Sequence, residues 1–528
     1  MRVSIINLNW EARDAIGQCI LNQVRFFLRR GDLVQVYLEH EPQHLPRSAK
    51  VVAHVVSAGH LQEGSEAHFA DSDLYVYHYP SRYSLLETIQ SLDRGVVIFY
   101  YHNVTPPDLW GSTFYQDLLQ ESVASAGVYA NYADLTVTDS DYSAEQLVQQ
   151  YGIGRDRVRV LPLAVALDRF GRGPKDTSLL RRYDLYGKRV ILFVGRMAGN
   201  KRVELLVEAL AQVREKVPTA MLLLVGDERS NSAIAESVAR ARQRAVELGV
   251  ADAVAFAGAV GDLPPYYRLA DVYASASLHE GFGVPLIEAM ASGVPVVASR
   301  ATAHPWVVGD AGLLAEPGNA ADLADKLVRV LSDDALCGEL VQRGLARARE
   351  FSLEQYEANW ARVVDEASAW LPNQPYPRLR AIRAAALSEA QQTPLSENDL
   401  TASADVMLRG YTVRSGLPLV GPLVAWVRRN LTSHLREPYI DPTLERQVAF
   451  NRRVARALGS LSQRVEAGAS VESRLAAAEA RLELLSAQVA RLELRGLQEA
   501  DADQLAALER QIEELRQKLT GGKEALRQ

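Results

Sequence analysis

From residue 1 to about 370 the chain repeats one unit, a short apolar run followed by a stretch with helical periodicity. This alternation limits what it can fold into more than any other feature. "VSIINL", "LVQVYL", "DLYVYH", "GVVIFYYH" and "LTVTDS" read as strands, and "IGQCILNQVRFFLRRG" reads as an intervening helix. Fully apolar strands separated by helices predict a parallel, doubly wound sheet covered on both faces. The Arg/Gly/Pro-rich stretch "DRFGRGPKDTSLLRRYDLYGK" interrupts the rhythm. It restarts at "RVILFVG" and continues through "KRVELLVEALAQVREK", "AMLLLVGD", "AVAFAG", "DVYASA" and "VPVVAS". The expected α/β architecture is therefore two Rossmann-like domains, over 1–172 and 173–372, joined near 171–188. A length of 528 residues suits two such units with appendages.

The appendages have a different pattern. "FSLEQYEANWARVVDEASAW" closes the second domain as an amphipathic helix, and "LPNQPYP" breaks from it. Within a linker spanning 373–435, "SGLPLVGPLVAWVRRNL" is too short to cross a bilayer. Two readings stay open for it: a segment at a lipid interface with Trp426 at headgroup depth and Arg428 and Arg429 toward anionic lipid, or a helix packed on the protein. Over 436–528, Val471, Leu475, Ala478, Leu482, Leu485, Val489 and Leu492 form a heptad seam. A second tract at Leu505, Leu508, Ile512, Leu515 and Leu519 is out of phase with it. The expectation is a helical coiled-coil region that makes a homo-oligomer, against the alternative of packing back on the body.

A formal net charge of −7 disfavours a nucleic-acid partner. Two isolated cysteines, Cys19 and Cys337, and an N-terminus "MRVSIINLNW" without a long apolar core fit a cytoplasmic protein. The chemistry concentrates in two places. In "FVGRMAGNKRVELL", Arg196 and Lys201 flank a strand-to-helix turn, where two cations and N-terminal amides can hold a diphosphate. In "HEGFGVPLIEAM", Glu280 sits in a glycine-rich turn and Glu288 about one turn into the following helix, with seven residues between them. Such carboxylates could flank a scissile glycosidic bond, accept vicinal hydroxyls of a ribose or hexose, or merely favour the helix dipole.

"FVGRMAGNKRVELLVEAL", "LLLVGD", "FAGAVGDLPPYYRLADVYASASLHEGFGVPLIEAMASGVPVVAS" and "GDAGLLAEPGN" together resemble the donor domain of retaining glycosyltransferases of family 4, over roughly 188–370. The Glu, seven residues, Glu spacing is that family's hallmark. "DAIGQ", "YHNVTPPDLW" and "TDSDYSAEQL" resemble members that build bacterial surface polysaccharides. The resemblance implies a GT-B fold, with an N-terminal acceptor domain and a C-terminal nucleotide-sugar donor domain. It implies that Arg196 and Lys201 hold the diphosphate, Glu288 the ribose and Glu280 the sugar ring, with amides from Gly281, Phe282 and Gly283 on sugar and phosphate. Gly17 would approach the phosphates from across the cleft, although many relatives have two glycines there, and His102 would lie near the donor sugar. Pro305-Trp306 stands where many relatives have Pro-Glu.

The implied reaction moves a hexose, with retention and without metal or other cofactor, from a nucleoside diphosphate sugar to a saccharide or lipid-linked acceptor. GDP-mannose is the first donor candidate, and the enzyme would be cytoplasmic or peripheral on the inner face of the cytoplasmic membrane. Consistent with the implied absence of metal, no Asp-x-Asp is placed to hold a divalent ion on the phosphates: "DSDLY" and "DSDYS" precede or follow strands as turn and helix caps, and "DADQ" lies in the heptad region. The competing readings are a non-catalytic coiled-coil scaffold with a transferase-like head and a GT-B phosphorylase or epimerase.

Overall fold

The structure, a computed structural model, describes residues 1–110, 116–229, 232–372 and 510–513. The Trp426 segment, the linker and nearly all of the heptad region lie outside these residues. Residues 510–513 are helical with Ile512 buried.

Two parallel sheets form the body. The first contains β1 (Arg2–Asn7), β2 (Leu33–Leu38), β3 (Ala53–Val55), β4 (Leu74–Tyr79), β5 (Val96–Tyr101), β6 (Leu135–Thr138) and β7 (Val158–Val160), in the order β3-β2-β1-β4-β5-β6-β7. The second contains β8 (Arg189–Val194), β9 (Ala220–Val225), β10 (Val254–Gly258), β11 (Val272–Ser275), β12 (Val296–Ser299) and β13 (Gly312–Ala315), in the order β10-β9-β8-β11-β12-β13. Every residue of β4, β5, β9, β11 and β12 is buried, as central strands covered on both faces must be. Tyr75, Tyr77, Tyr79 and Tyr83 belong to this core.

Each sheet reverses its winding once, between β1 and β4 and between β8 and β11. Loops leaving neighbouring strands at such a point diverge to opposite faces and open a crevice at the strands' carboxyl ends. The exits of β8 and β11 are the two turns that contain Arg196, Lys201 and Glu280.

The helix Leu353–Ala369 returns to the first sheet. Its Trp360 is fully buried and lies edge-on to Phe27 (centroids 6.1 Å apart) and stacked on Tyr100 (6.4 Å). Glu366 accepts two hydrogen bonds from the Arg159 guanidinium, at 2.6 and 3.0 Å. This paired geometry fixes the helix direction as well as its position. Among the described residues, no helix is long and apolar enough to cross a membrane.

Candidate active site

The β8 exit is built for close approach. Gly195 has φ 152°, which side-chain-bearing residues rarely adopt, and the chain then makes a short turn at Gly199–Lys201. A Cβ on Gly199 would lie 2.7 Å from the Trp110 carbonyl oxygen and 2.9 Å from that of Leu109, so glycine lets this turn meet the first domain. Arg196 is exposed, has no ion pair among the described residues, and lies 5.7 Å from the Trp110 ring. Lys201 is less free: its Nζ donates to Glu280 Oε1 at 2.5 Å, with both side chains mostly buried.

Glu280 is anchored at its backbone. Its N–H donates to Thr302 Oγ1 at 2.8 Å, and the same hydroxyl donates to the Glu280 carbonyl at 2.9 Å. Burial pushes the Glu280 carboxyl up, but Lys201 first and His304 second overcome it and bring the pKa down to about 2. His304 Nε2 is 3.9 Å away, and burial lowers the pKa of that imidazole, so Lys201 supplies the counter-charge at neutral pH.

Glu288 has the opposite electrostatics. It lies half-buried in the helix Val284–Ala291, whose start is set by Gly283 at φ 113° and by Pro285 in the first turn. Its Oε2 accepts from the Tyr267 hydroxyl at 2.7 Å. Burial nevertheless raises its pKa to about 7, with only Tyr267 and a more distant Arg169 opposing. The two glutamates converge: the buried Tyr273 phenol, which donates to the Val194 carbonyl at the end of β8, feels both carboxylates. One is a fixed anion tied to a lysine and the other a carboxyl poised to ionise.

The glycine-rich turn between them touches the first domain. Ser140 Oγ donates to the Gly281 carbonyl at 2.8 Å, and a Cβ on Gly281 would sit 2.6 Å from the His102 carbonyl oxygen. Phe282 is buried against Phe351 and Trp306, at centroid distances of 5.6 and 6.2 Å. Trp306, the departure from Pro-Glu, thus packs under the turn, and its carbonyl accepts from Arg347 at 2.6 Å.

On the opposite wall, Gly17 is buried. Its N–H donates to the capping carboxylate of Asp14 at 2.6 Å, and its carbonyl accepts from Trp10 at 2.9 Å. A Cβ there would collide with the Glu11 carbonyl oxygen at 1.8 Å, so the glycine has a structural reason of its own. His102 is also buried, with both ring nitrogens engaged: Nδ1 with Asp139 at 2.9 Å and Nε2 with His78 Nδ1 at 2.7 Å. His78 continues to Gln23 at 2.9 Å, and burial followed by the His102 charge holds its pKa well below the usual value. His78, Asp139, Tyr267 and His304 escaped the sequence reading because each meets its partner through the fold. Tyr267, 21 residues before Glu288, leaves no local pattern.

The profile of the family Glycosyl transferases group 1 matches residues 188–333, which span β8 to the helix after β13. O-antigen chain mannosyltransferase B of Escherichia coli is 31% identical over 290 residues, covering 53% of this chain and 71% of that protein. The chain belongs to the group 1 glycosyl transferases. Mannosylfructose-phosphate synthase of Agrobacterium fabrum is 32% identical over 227 residues, 41% of this glycosyltransferase and 49% of the relative, so the match spans about half that protein's length. Among solved structures, Anabaena HepE in complex with UDP and glucose aligns with a TM-score of 0.58 at 20% identity. That alignment covers 69% of this glycosyltransferase and all of HepE, and it bears out the two Rossmann-like domains expected from the alternating strands and the GT-B fold implied by the resemblance.

Proposed function

We propose that this glycosyltransferase moves a hexose, with mannose the first candidate, from a nucleoside diphosphate sugar to a saccharide or lipid-linked saccharide, with retention and without metal. The observation behind the reading is the Lys201–Glu280 pair at the crevice, flanked by Glu288 and by Arg196, which has no ion pair among the described residues. Arg196 and Lys201 would neutralise the departing diphosphate, where charge develops in the transition state. Glu280 would accept hydroxyl hydrogens of the sugar, Glu288 those of the ribose, and Gly281, Phe282 and Gly283 would bring backbone close to both. Gly17 and His102 would shape the opposite wall, Gly17 by letting the chain turn tightly and His102 through its backbone against Gly281. Attack by the acceptor on the face the diphosphate leaves, with the leaving phosphate taking the proton, needs no enzymic nucleophile. Mannosyl relatives support the choice of mannose.

Nuclear magnetic resonance of the product from GDP-mannose, with EDTA present throughout, tests this reading. The expected product has the donor's α anomeric configuration, at a rate unchanged by EDTA. A β product, loss of rate in EDTA or free mannose alone would count against it.

We further propose that residues 373–528 hold the enzyme at the cytoplasmic membrane surface and assemble it through the heptads. A chain ending near residue 375 should lose flotation with anionic liposomes and fall to monomer mass in light scattering. Unaltered flotation and mass would reject both roles.

A further inference from the structure

Along the seam where the glycine-rich turn meets the first domain, several buried polar atoms have no hydrogen-bond partner among the described residues. They are His279 Nδ1 and Nε2, Asn200 Oδ1 and Asn103 Oδ1. Their residues are neighbours. Asn200 Nδ2 donates to the His279 carbonyl at 3.0 Å, and the Asn103 Cβ lies 3.0 Å from where a Cβ on Gly281 would be. Each residue is held firmly: Leu278 N–H donates to the Asn200 carbonyl at 2.8 Å, and Asn103 Nδ2 donates to Ser143 at 2.8 Å.

His279 is the extreme case, only 3% exposed and with neither nitrogen satisfied. Its ring lies edge-on to Tyr142 of the first domain, with centroids 6.3 Å apart. The charges acting on it are Glu280, then Lys201, then Asp108 of the first domain. Burial lowers its pKa to about 4, so at neutral pH the imidazole has one donor and one acceptor, like a hydroxyl's own complement. If His279 only filled space, phenylalanine would do so without leaving two polar atoms unmet. While Glu280 turns into the donor domain toward Lys201 and Thr302, His279 turns toward the domain that would bind the acceptor.

We propose that His279, with the amide oxygens of Asn200 and Asn103, binds hydroxyls of the acceptor saccharide and helps select it. The seam offers a polyol one N–H donor and three acceptors, next to the glutamate that would hold the transferred sugar. This assignment rests on the transferase reading above.

The test uses the full chain, GDP-mannose as donor and the p-nitrophenyl hexoside on which the wild type transfers fastest. His279→Phe should melt at the wild-type temperature or above and bind GDP-mannose within about threefold of wild type, yet raise the hexoside KM by about tenfold or more. His279→Gln, which keeps a donor and an acceptor, should recover most of that loss. A His279→Phe enzyme with unchanged hexoside KM overturns the proposal, whether it melts higher or lower. Wild type that shows no thermal shift with GDP-mannose and transfers to no hexoside would overturn the proposed mannosyl transfer on which this assignment rests.

Discussion

Replacing Lys201 with alanine is expected to lower kcat/KM for GDP-mannose by about three orders of magnitude, ~4 kcal/mol of transition-state stabilisation. Two losses combine. The diphosphate loses a cation where its charge develops. Glu280, whose carboxyl lies at a pKa of about 2 against burial chiefly because of Lys201, becomes an uncompensated anion in a mostly buried turn. That anion would repel the incoming donor or take up a proton, and in either form it no longer accepts sugar hydroxyls as a paired carboxylate. Lys201→Arg keeps the charge but not the short stem-to-carboxylate fit, and should recover only part of the rate. Steady-state kinetics within about threefold of wild type for Lys201→Ala would refute the role of this pair.

The second large effect concerns donor affinity. Glu288→Gln removes a carboxylate positioned to accept two hydroxyls, and charge-assisted bonds of this kind are worth about 1.5–3 kcal/mol each. A loss of about a hundredfold in GDP-mannose affinity is expected, read by calorimetry, with the melting temperature little changed or raised. The sign follows from the raised pKa of about 7. Relative to its ordinary value of 4.5, the folded state favours the protonated acid. Folding stability from this group is thus fully present below pH 4.5 and is lost as pH rises through 7. Removing the carboxylate removes that penalty, the usual exchange of stability for function at a ligand site. Tyr267→Phe works in the other direction: the hydroxyl that favours the ionised carboxylate is gone, so the midpoint of donor binding should move to higher pH.

Much of the fold was legible because buried parallel strands leave long apolar runs. "LVQVYL" coincides with β2, and "RVILFVG" and "DVYASA" each overlap their strands to within a residue at either end. The strands missed were β3, β7 and β13, all at sheet edges and only three or four residues long. An edge strand has one neighbour and partial exposure, so its side chains need not be uniformly apolar. At the site, the spacing of Glu280 and Glu288 placed one in the turn and one in the helix, as found. The opposing pKa shifts of the two were not legible. They depend on Lys201, 79 residues before Glu280, and on the absence of an equally close cation at Glu288 among the described residues. The engagement of His102 by Asp139 and His78 was hidden for the same reason, since the three residues come from different strand ends.

The central claim is that Glu288 grips the donor through its ionised carboxylate, and calorimetric titration of GDP-mannose between pH 6 and 8 tests it most directly. Both donor phosphates are diesterified and stay ionised over this range, so the donor contributes no slope. Wild type should bind about tenfold more weakly for each pH unit below 7 and level off above it, as release of one proton on binding requires. Glu288→Gln should bind weakly with no slope. A wild-type affinity equal at pH 6 and pH 8, or a slope that survives in Glu288→Gln, would contradict the account.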